Sequence, residues 1–153
     1  HKRMALPGIL GLMVATKVDP SFINRSISEG KRFNIYAIDK LNDLLHGLNS
    51  GHMKNAVNIA VMKSLFRFKT AGVPFTGLAA TAAVSDKVKV EKQIAALLVR
   101  HSVSAATAPT QTSSTMSALG VLGVVTNKSS QKFPIWELTE APVTQRLKEL
   151  LAA

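Results

Sequence analysis

Apolar residues recur at helical intervals in four stretches of this 153-residue chain, and two β-prone runs flank a polar tip near its end. In NIYAIDKLNDLLHGLNSG (34–51), Ile35, Ile38, Leu41, Leu45 and Leu48 fall at three- and four-residue steps. Asp39, Asn42, Asp43 and His46 fall between them, which predicts an amphipathic helix ended by Asn49, Ser50 and Gly51. HMKNAVNIAVMKSLFRFKTAG (52–72) predicts a second helix, with Val57, Val61, Leu65 and Phe68 as its inward stripe and Ile59, Met62 and Phe66 beside it. Lys63 and Arg67, four apart, share its outer face, and Gly72 and Pro74 stop it. In PFTGLAATAAVS, Thr76 as a cap and Ser85 as an end bracket a short alanine-rich segment. DKVKVEKQIAALLVRH (86–101) predicts a third long helix with Val90, Ile94, Leu97 and Leu98 inward. Asp86 would sit where the helix dipole favours an anion, with Arg100 and His101 at the opposite end. APVTQRLKELLAA closes the chain as a helix, with Pro142 in its first turn and Val143, Leu147, Leu150 and Leu151 inward.

Between these stretches, SVSAATAPTQTSSTMS is low in charge and rich in Ser, Thr and Ala, with Pro109 in its middle. It reads either as a loop or as a short helix, a turn and the start of another helix. Apolar order resumes at Met116, Leu119, Val121 and Leu122. GVVTNKSSQKFPIWELTE (123–140) then reads as a β-hairpin: Gly123 to Thr126 and Ile135 to Thr139 are β-prone, and Asn127 to Lys132 is a tip of turn formers.

Composition supports a sizeable core, since 46% of residues are hydrophobic, but aromatics are only 5%, so Ala, Val, Leu and Ile must build it. Cysteine is absent, which excludes disulfides and thiolate metal sites. No segment reaches the roughly 18 unbroken apolar residues of a membrane span. The first stretch, HKRMALPGILGLMVATKV, has the basic-then-apolar order of a secretory signal, but Pro7, Gly8 and Gly11 interrupt it. Residues 1–32 therefore read as a docking or poorly ordered arm, with a leftover secretory signal as the alternative.

Charge changes the picture most. Nineteen Lys and Arg against nine Asp and Glu give +10, and the excess is uneven. Residues 54–132 hold ten cations against only Asp86 and Glu91, whereas residues 133–153 hold two against three carboxylates. A basic middle suggests a localised polyanion-binding face, because neutralising phosphates releases their counterions.

A helix, a helix-terminating LGVV, a hairpin, and L-T-E leading into a final helix together resemble the winged helix-turn-helix superfamily. Leu122, Gly123, Val124 and Val125 match the start of the wing and Phe133 to Thr139 its returning strand, so the resemblance covers the last third of the chain. It implies a mainly α fold, a helical bundle with a winged helix-turn-helix over residues 33–153, a wing at 123–139 and a closing helix at 142–152. Thr112, Ser113, Ser114, Thr115 and Ser117 then begin the recognition helix, with Gln111 beside them. That helix has no Arg, so base readout falls to small polar side chains and water. Asn127, Lys128, Ser129, Ser130, Gln131 and Lys132 become the wing tip, where Lys128 and Lys132 clamp phosphates. A competing register places the helix-turn-helix in VPFTGLAATAAVSDKVKVEKQIAALL, with the turn at Val84–Ser85 and Lys87, Lys89 and Lys92 as contacts, but with no wing directly behind it. In either register the basic helices, Lys63 and Arg67 included, border one surface.

Rival chemistry is thin. Asp39, Asp43 and His46 lie at helical steps, but a solvated helix face accounts for them, and His46 and His52 show no zinc spacing. There is no phosphate-binding G-x-x-x-x-G-K-[ST] loop, no nucleophile elbow and no carboxylate pairing. Trp136 reads as a core residue rather than a base-stacking one. The expectation is a cytoplasmic or nucleoid-associated nucleic-acid-binding protein, preferring duplex DNA to RNA. It would act by occupancy as a regulator or accessory factor, without catalysis, cofactor, metal or membrane. The alternative is an interaction module on the same scaffold, in which the apolar run 5–14 or the helix 142–152 docks a partner or forms a homodimer.

Overall fold

Six helices and three short strands make up residues 35–152, the part of the chain that the computed structural model describes. The expected N-terminal arm and the side chains of Ile35 and Ile38 lie outside the described residues. Helix α1 (Ile35–Ser50) buries Leu41, Leu45 and Leu48 as its periodicity predicts, and Leu44 joins them. Helix α2 (Ala56–Ala71) starts at Asn55, whose Oδ1 accepts from Asn58 N at 3.1 Å. It stops at Gly72, whose φ of 70° a side chain with a Cβ would resist. Its predicted stripe of Val57, Val61, Leu65 and Phe68 is buried. Phe68 meets Phe75 edge to face, with ring centroids 5.0 Å apart.

Strand β1 (Phe75–Thr76) leads directly into helix α3 (Gly77–Val84), and Thr76 caps it by accepting from Ala79 N at 3.1 Å. Ala79, Ala80, Ala82 and Ala83 are all buried, and these small side chains let neighbouring helices approach closely.

The long helix expected over 86–101 does not form; only α4 (Lys92–Leu97) is helical. Side chains and backbone from other elements capture the rest. Val99 N donates to Ser64 Oγ at 2.9 Å, and that hydroxyl donates to Val99 O at 3.0 Å. His101 N donates to Ala83 O at 2.8 Å, and Ser85 and Ser102 form an antiparallel bridge. Arg100 Nε donates to Ala82 O at 2.9 Å, and its Nη2 donates to Ser85 O and Val88 O. A guanidinium thereby satisfies carbonyls at the end of α3 that the helix leaves open. Asp86 consequently lies in a turn rather than at a helix start, and Glu91 holds the N-cap position of α4 without a side-chain cap.

The Ser/Thr-rich stretch folds as helix α5 (Ala108–Val121), with Pro109 in its first turn. Buried hydroxyls turn back onto the helix: Thr112 Oγ1 donates to Ala108 O at 2.7 Å and Ser114 Oγ to Thr110 O at 3.0 Å. Thr115 instead reaches across to Asn58 Oδ1 at 2.8 Å, while Asn58 Nδ2 donates to Lys40 O at 3.1 Å and Asp43 Oδ2 at 3.0 Å. One buried polar chain therefore joins α1, α2 and α5.

Gly123, at φ 78°, turns the chain out of α5 into strand β2 (Val125–Asn127). Strand β3 (Ile135–Leu138) pairs with both β2 and β1, giving an antiparallel sheet of order β1-β3-β2. Its register sets Val125 opposite Leu138, Thr126 opposite Glu137, and both Asn127 and Phe75 opposite Trp136. The hairpin expected from the sequence is thus formed, and its returning strand also closes onto the short strand before α3. Helix α6 (Pro142–Ala152) buries Leu147, with Val143, Leu150 and Leu151 partly buried against the core. Arg146 Nη2 donates to Leu48 O at 2.8 Å and fastens α6 to the end of α1. Among the described residues no helix is long and apolar enough to cross a membrane.

Candidate nucleic-acid interface

Asn127 organises the hairpin tip. Its Oδ1 accepts from Ser129 N at 3.0 Å and Ile135 N at 3.2 Å, and its Nδ2 donates to Ser130 O at 3.0 Å. Phe133 N donates to Ser130 Oγ at 3.0 Å, and Lys128 N to Ile135 O at 2.8 Å. The sequence reading made Asn127 a contact residue; with donor and acceptor both occupied inside the loop, it is the latch that shapes the tip. Lys128, Ser129, Ser130, Gln131, Lys132 and Phe133 are all exposed around it.

The hairpin, from its tip to Trp136 on the returning strand, faces α5 across a cleft of about 410 Å³. Pro109, Thr112, Ser113, Met116 and Ser117 of α5 line one side; Gln131, Lys132, Pro134 and Trp136 line the other, and Gly77 and Thr81 of α3 close the end. Gly77 belongs there for steric reasons: a Cβ would lie 2.9 Å from Pro134 Cγ, and its N–H already donates to Pro134 O at 3.0 Å. No carboxylate lines this cleft. The nearest strand acid, Glu137, falls on the other face of β3 by alternation and lines a separate hollow with Lys69, Val73 and Pro74.

The structure divides the residues expected to read bases. Ser113 and Ser117 are exposed on α5 and Gln111 is half-buried, so these can present polar atoms outward. Thr112, at 6% exposure, and Ser114, at 3%, are buried with their hydroxyls committed to their own helix, and Thr115 is wholly inside. A helix shows only part of its circumference to solvent, so a run of four consecutive small polar residues, Thr112 to Thr115, is necessarily split between faces. The helix also begins at Ala108 rather than at Thr112.

Basic residues outside the hairpin are placed elsewhere. Lys87, Lys89 and Lys92 are exposed on the segment leading into and starting α4, and none lines the cleft. Without the long helix over 86–101, they do not form a helical recognition face. Lys63 is half-buried on α2, and Arg67 Nη2 donates to Ala96 O at 3.2 Å at the end of α4. All three described arginines, Arg67, Arg100 and Arg146, thus donate to carbonyls near helix C-termini, leaving lysines as the cations directed to solvent.

Lys40 is the exception among the lysines. It is buried, its Nζ lies 3.4 Å from Asn55 Oδ1, and burial pushes its ammonium below the usual lysine range against the opposing pull of Asp43 and Asp39. Asp43, one of the residues weighed for metal binding, accepts from Lys54 N at 3.1 Å and Asn55 N at 3.0 Å. Among the described residues no group of three or more His, Asp or Glu is placed to hold a metal ion.

Trp136, expected in the core, is half-buried: it packs against the core and also lines the cleft, a second position the sequence did not signal. Sequence reasoning passed over Phe133, which is 70% exposed at the tip. The signal was an aromatic residue in an otherwise polar turn, SSQKFP. No family model, curated protein or solved structure matches the chain.

Proposed function

We propose that the chain is a duplex-DNA-binding protein of winged helix-turn-helix type that acts by occupancy, as a regulator or accessory factor in the cytoplasm or nucleoid. The observation that carries the reading is the shared cleft, where the outward face of α5 meets a cationic hairpin tip with no carboxylate in the lining. In this reading α3 and α5 are the helix pair, and β2–β3 is the wing. Residues 85–107 are then an insertion between the two helices where such domains have a short turn. Lys128 and Lys132 grip phosphates, and Ser113 and Ser117 face the base edges, whereas Gln111, two positions before Ser113, points away from that face of α5. Two hydroxyl groups and no Arg give weak base discrimination, so affinity rests on the wing.

The inward residues of the closing helix pack on the core, Leu147 fully and Val143, Leu150 and Leu151 in part. Fluorescence anisotropy with a mixed-sequence DNA duplex tests the assignment. Lys132→Glu and Ser113→Glu should each weaken binding by about tenfold, because each sets a carboxylate against the phosphates. Lys148→Glu, in a hollow between α2 and α6 away from the cleft, should change it by no more than about threefold. Equal losses from all three would contradict the assigned site.

A further inference from the structure

We infer that Phe133 is a base-stacking residue, whose ring takes a single unpaired base beside the duplex held by the wing and α5. The inference rests on the nucleic-acid reading above and adds what the tip recognises. Among the described residues Phe133 is the most exposed of the large apolar side chains, at 70% against 58% for Leu78 and 37% for Ile135. Leaving a phenyl ring in water forgoes hydrophobic stabilisation and contributes nothing to the core. The tip nevertheless fixes its backbone on both sides. Phe133 N is held by Ser130 Oγ at 3.0 Å, and the following Pro134 restricts the Phe133 backbone to extended conformations. Pro134 O is in turn held by Gly77 N at 3.0 Å, which ties the ring's base to the start of α3. The Asn127 latch locks the opposite arm of the turn. A ring on so braced a loop is presented with little ordering left to do on binding.

The cations around the ring decide what it fits. Lys132 Nζ stands 5.6 Å from the ring centroid, over one face. A wedge between two stacked base pairs needs both faces clear, whereas one face covered by an ammonium leaves room for one base on the other. The ammonium is then positioned for the phosphate of the same nucleotide, and exposed Lys128 for a neighbouring one. Stacking on an aromatic face is tolerant of base identity, because every base has a π-face. That suits an interface with few side chains for base edges, and it predicts a preference for duplexes bearing an unpaired nucleotide.

The test uses the full chain and three labelled oligonucleotides sharing one duplex: blunt, with a three-nucleotide overhang, and with the same overhang made abasic. Backbone charge is equal in the last two, so their difference isolates the base. Overhangs of both polarities are measured. The native protein should bind a base-bearing overhang about tenfold more tightly than its abasic counterpart. Phe133→Ala should abolish that ratio while keeping the affinity for the abasic form, and Phe133→Trp should preserve it. Folding is not at stake at so exposed a position. Equal binding of the two overhangs by the native protein, or an undiminished ratio in Phe133→Ala, overturns this inference alone. Absence of binding to all three oligonucleotides overturns the nucleic-acid reading and this inference with it. A Phe133→Ala change in the sedimentation coefficient of the DNA-free protein assigns the ring to a protein contact and also overturns it.

Discussion

Thr115 carries a hydroxyl into the core, and its bond to Asn58 Oδ1 at 2.8 Å explains why a polar residue is kept there. Thr115→Val preserves shape but leaves that buried amide oxygen unpaired, so it should cost about 1–3 kcal/mol in a urea unfolding series. A loss below a few tenths would show that water or another donor takes over. Lys40 makes a different kind of test. Its folded-state pKa is lowered, chiefly by burial, so between that value and the ordinary lysine value the unfolded chain binds more protons than the native one. Stability contributed by Lys40 therefore rises as pH rises through that window and is lowest below it. Relative to Lys40→Met, the native protein should gain stability as pH climbs from neutral toward about 10. A stability difference that stays flat over that range would contradict the assigned direction.

Elements were legible where local chemistry decided them. The cap Thr76, the stop at Gly72, Pro142 in the first turn of α6 and the hairpin arms all act over a few residues, and each appears where the pattern places it. The segment 86–101 was misread because distant groups decide it: Ser64 captures Val99, and Arg100 reaches back to Ala82. The alternating KVKV at 87–90 is a local sign of extended backbone, which the helical spacing of Val90, Ile94 and Leu97 taken alone does not register. In α5 the ambiguity had another source, since Ser and Thr disfavour helices unless their hydroxyls return to the preceding turn, as Thr112 and Ser114 do. Which small polar residues would remain accessible could not be read without knowing which face packs on α1 and α3. The hairpin also makes a prediction at this scale. Asn127→Ala removes three hydrogen bonds that shape the tip without changing its charge. It should weaken DNA binding several-fold and speed amide exchange at Ser129 and Ile135, while global stability falls by no more than about 1 kcal/mol. Unchanged exchange at those two amides would show that the latch is dispensable.

At the scale of the molecule, cations serve two purposes. Arginines close helix ends, at Ala82, Leu48 and Ala96, where a planar fork can satisfy open carbonyls. Apart from buried Lys40 and half-buried Lys63, the described lysines are exposed, and two of them ride on a braced hairpin beside the exposed side of α5. Net charge alone would attract any polyanion; in the proposed reading it is the pairing of projecting lysines with a carboxylate-free cleft that selects one face. The most direct test is the salt dependence of duplex DNA affinity for the native chain and for the Lys128→Ala/Lys132→Ala double variant. If both lysines meet phosphates, the slope of log K against log salt should shrink in magnitude by about 0.9 per lost contact, close to 2 for the pair. An identical slope, with affinity unchanged, would contradict the account.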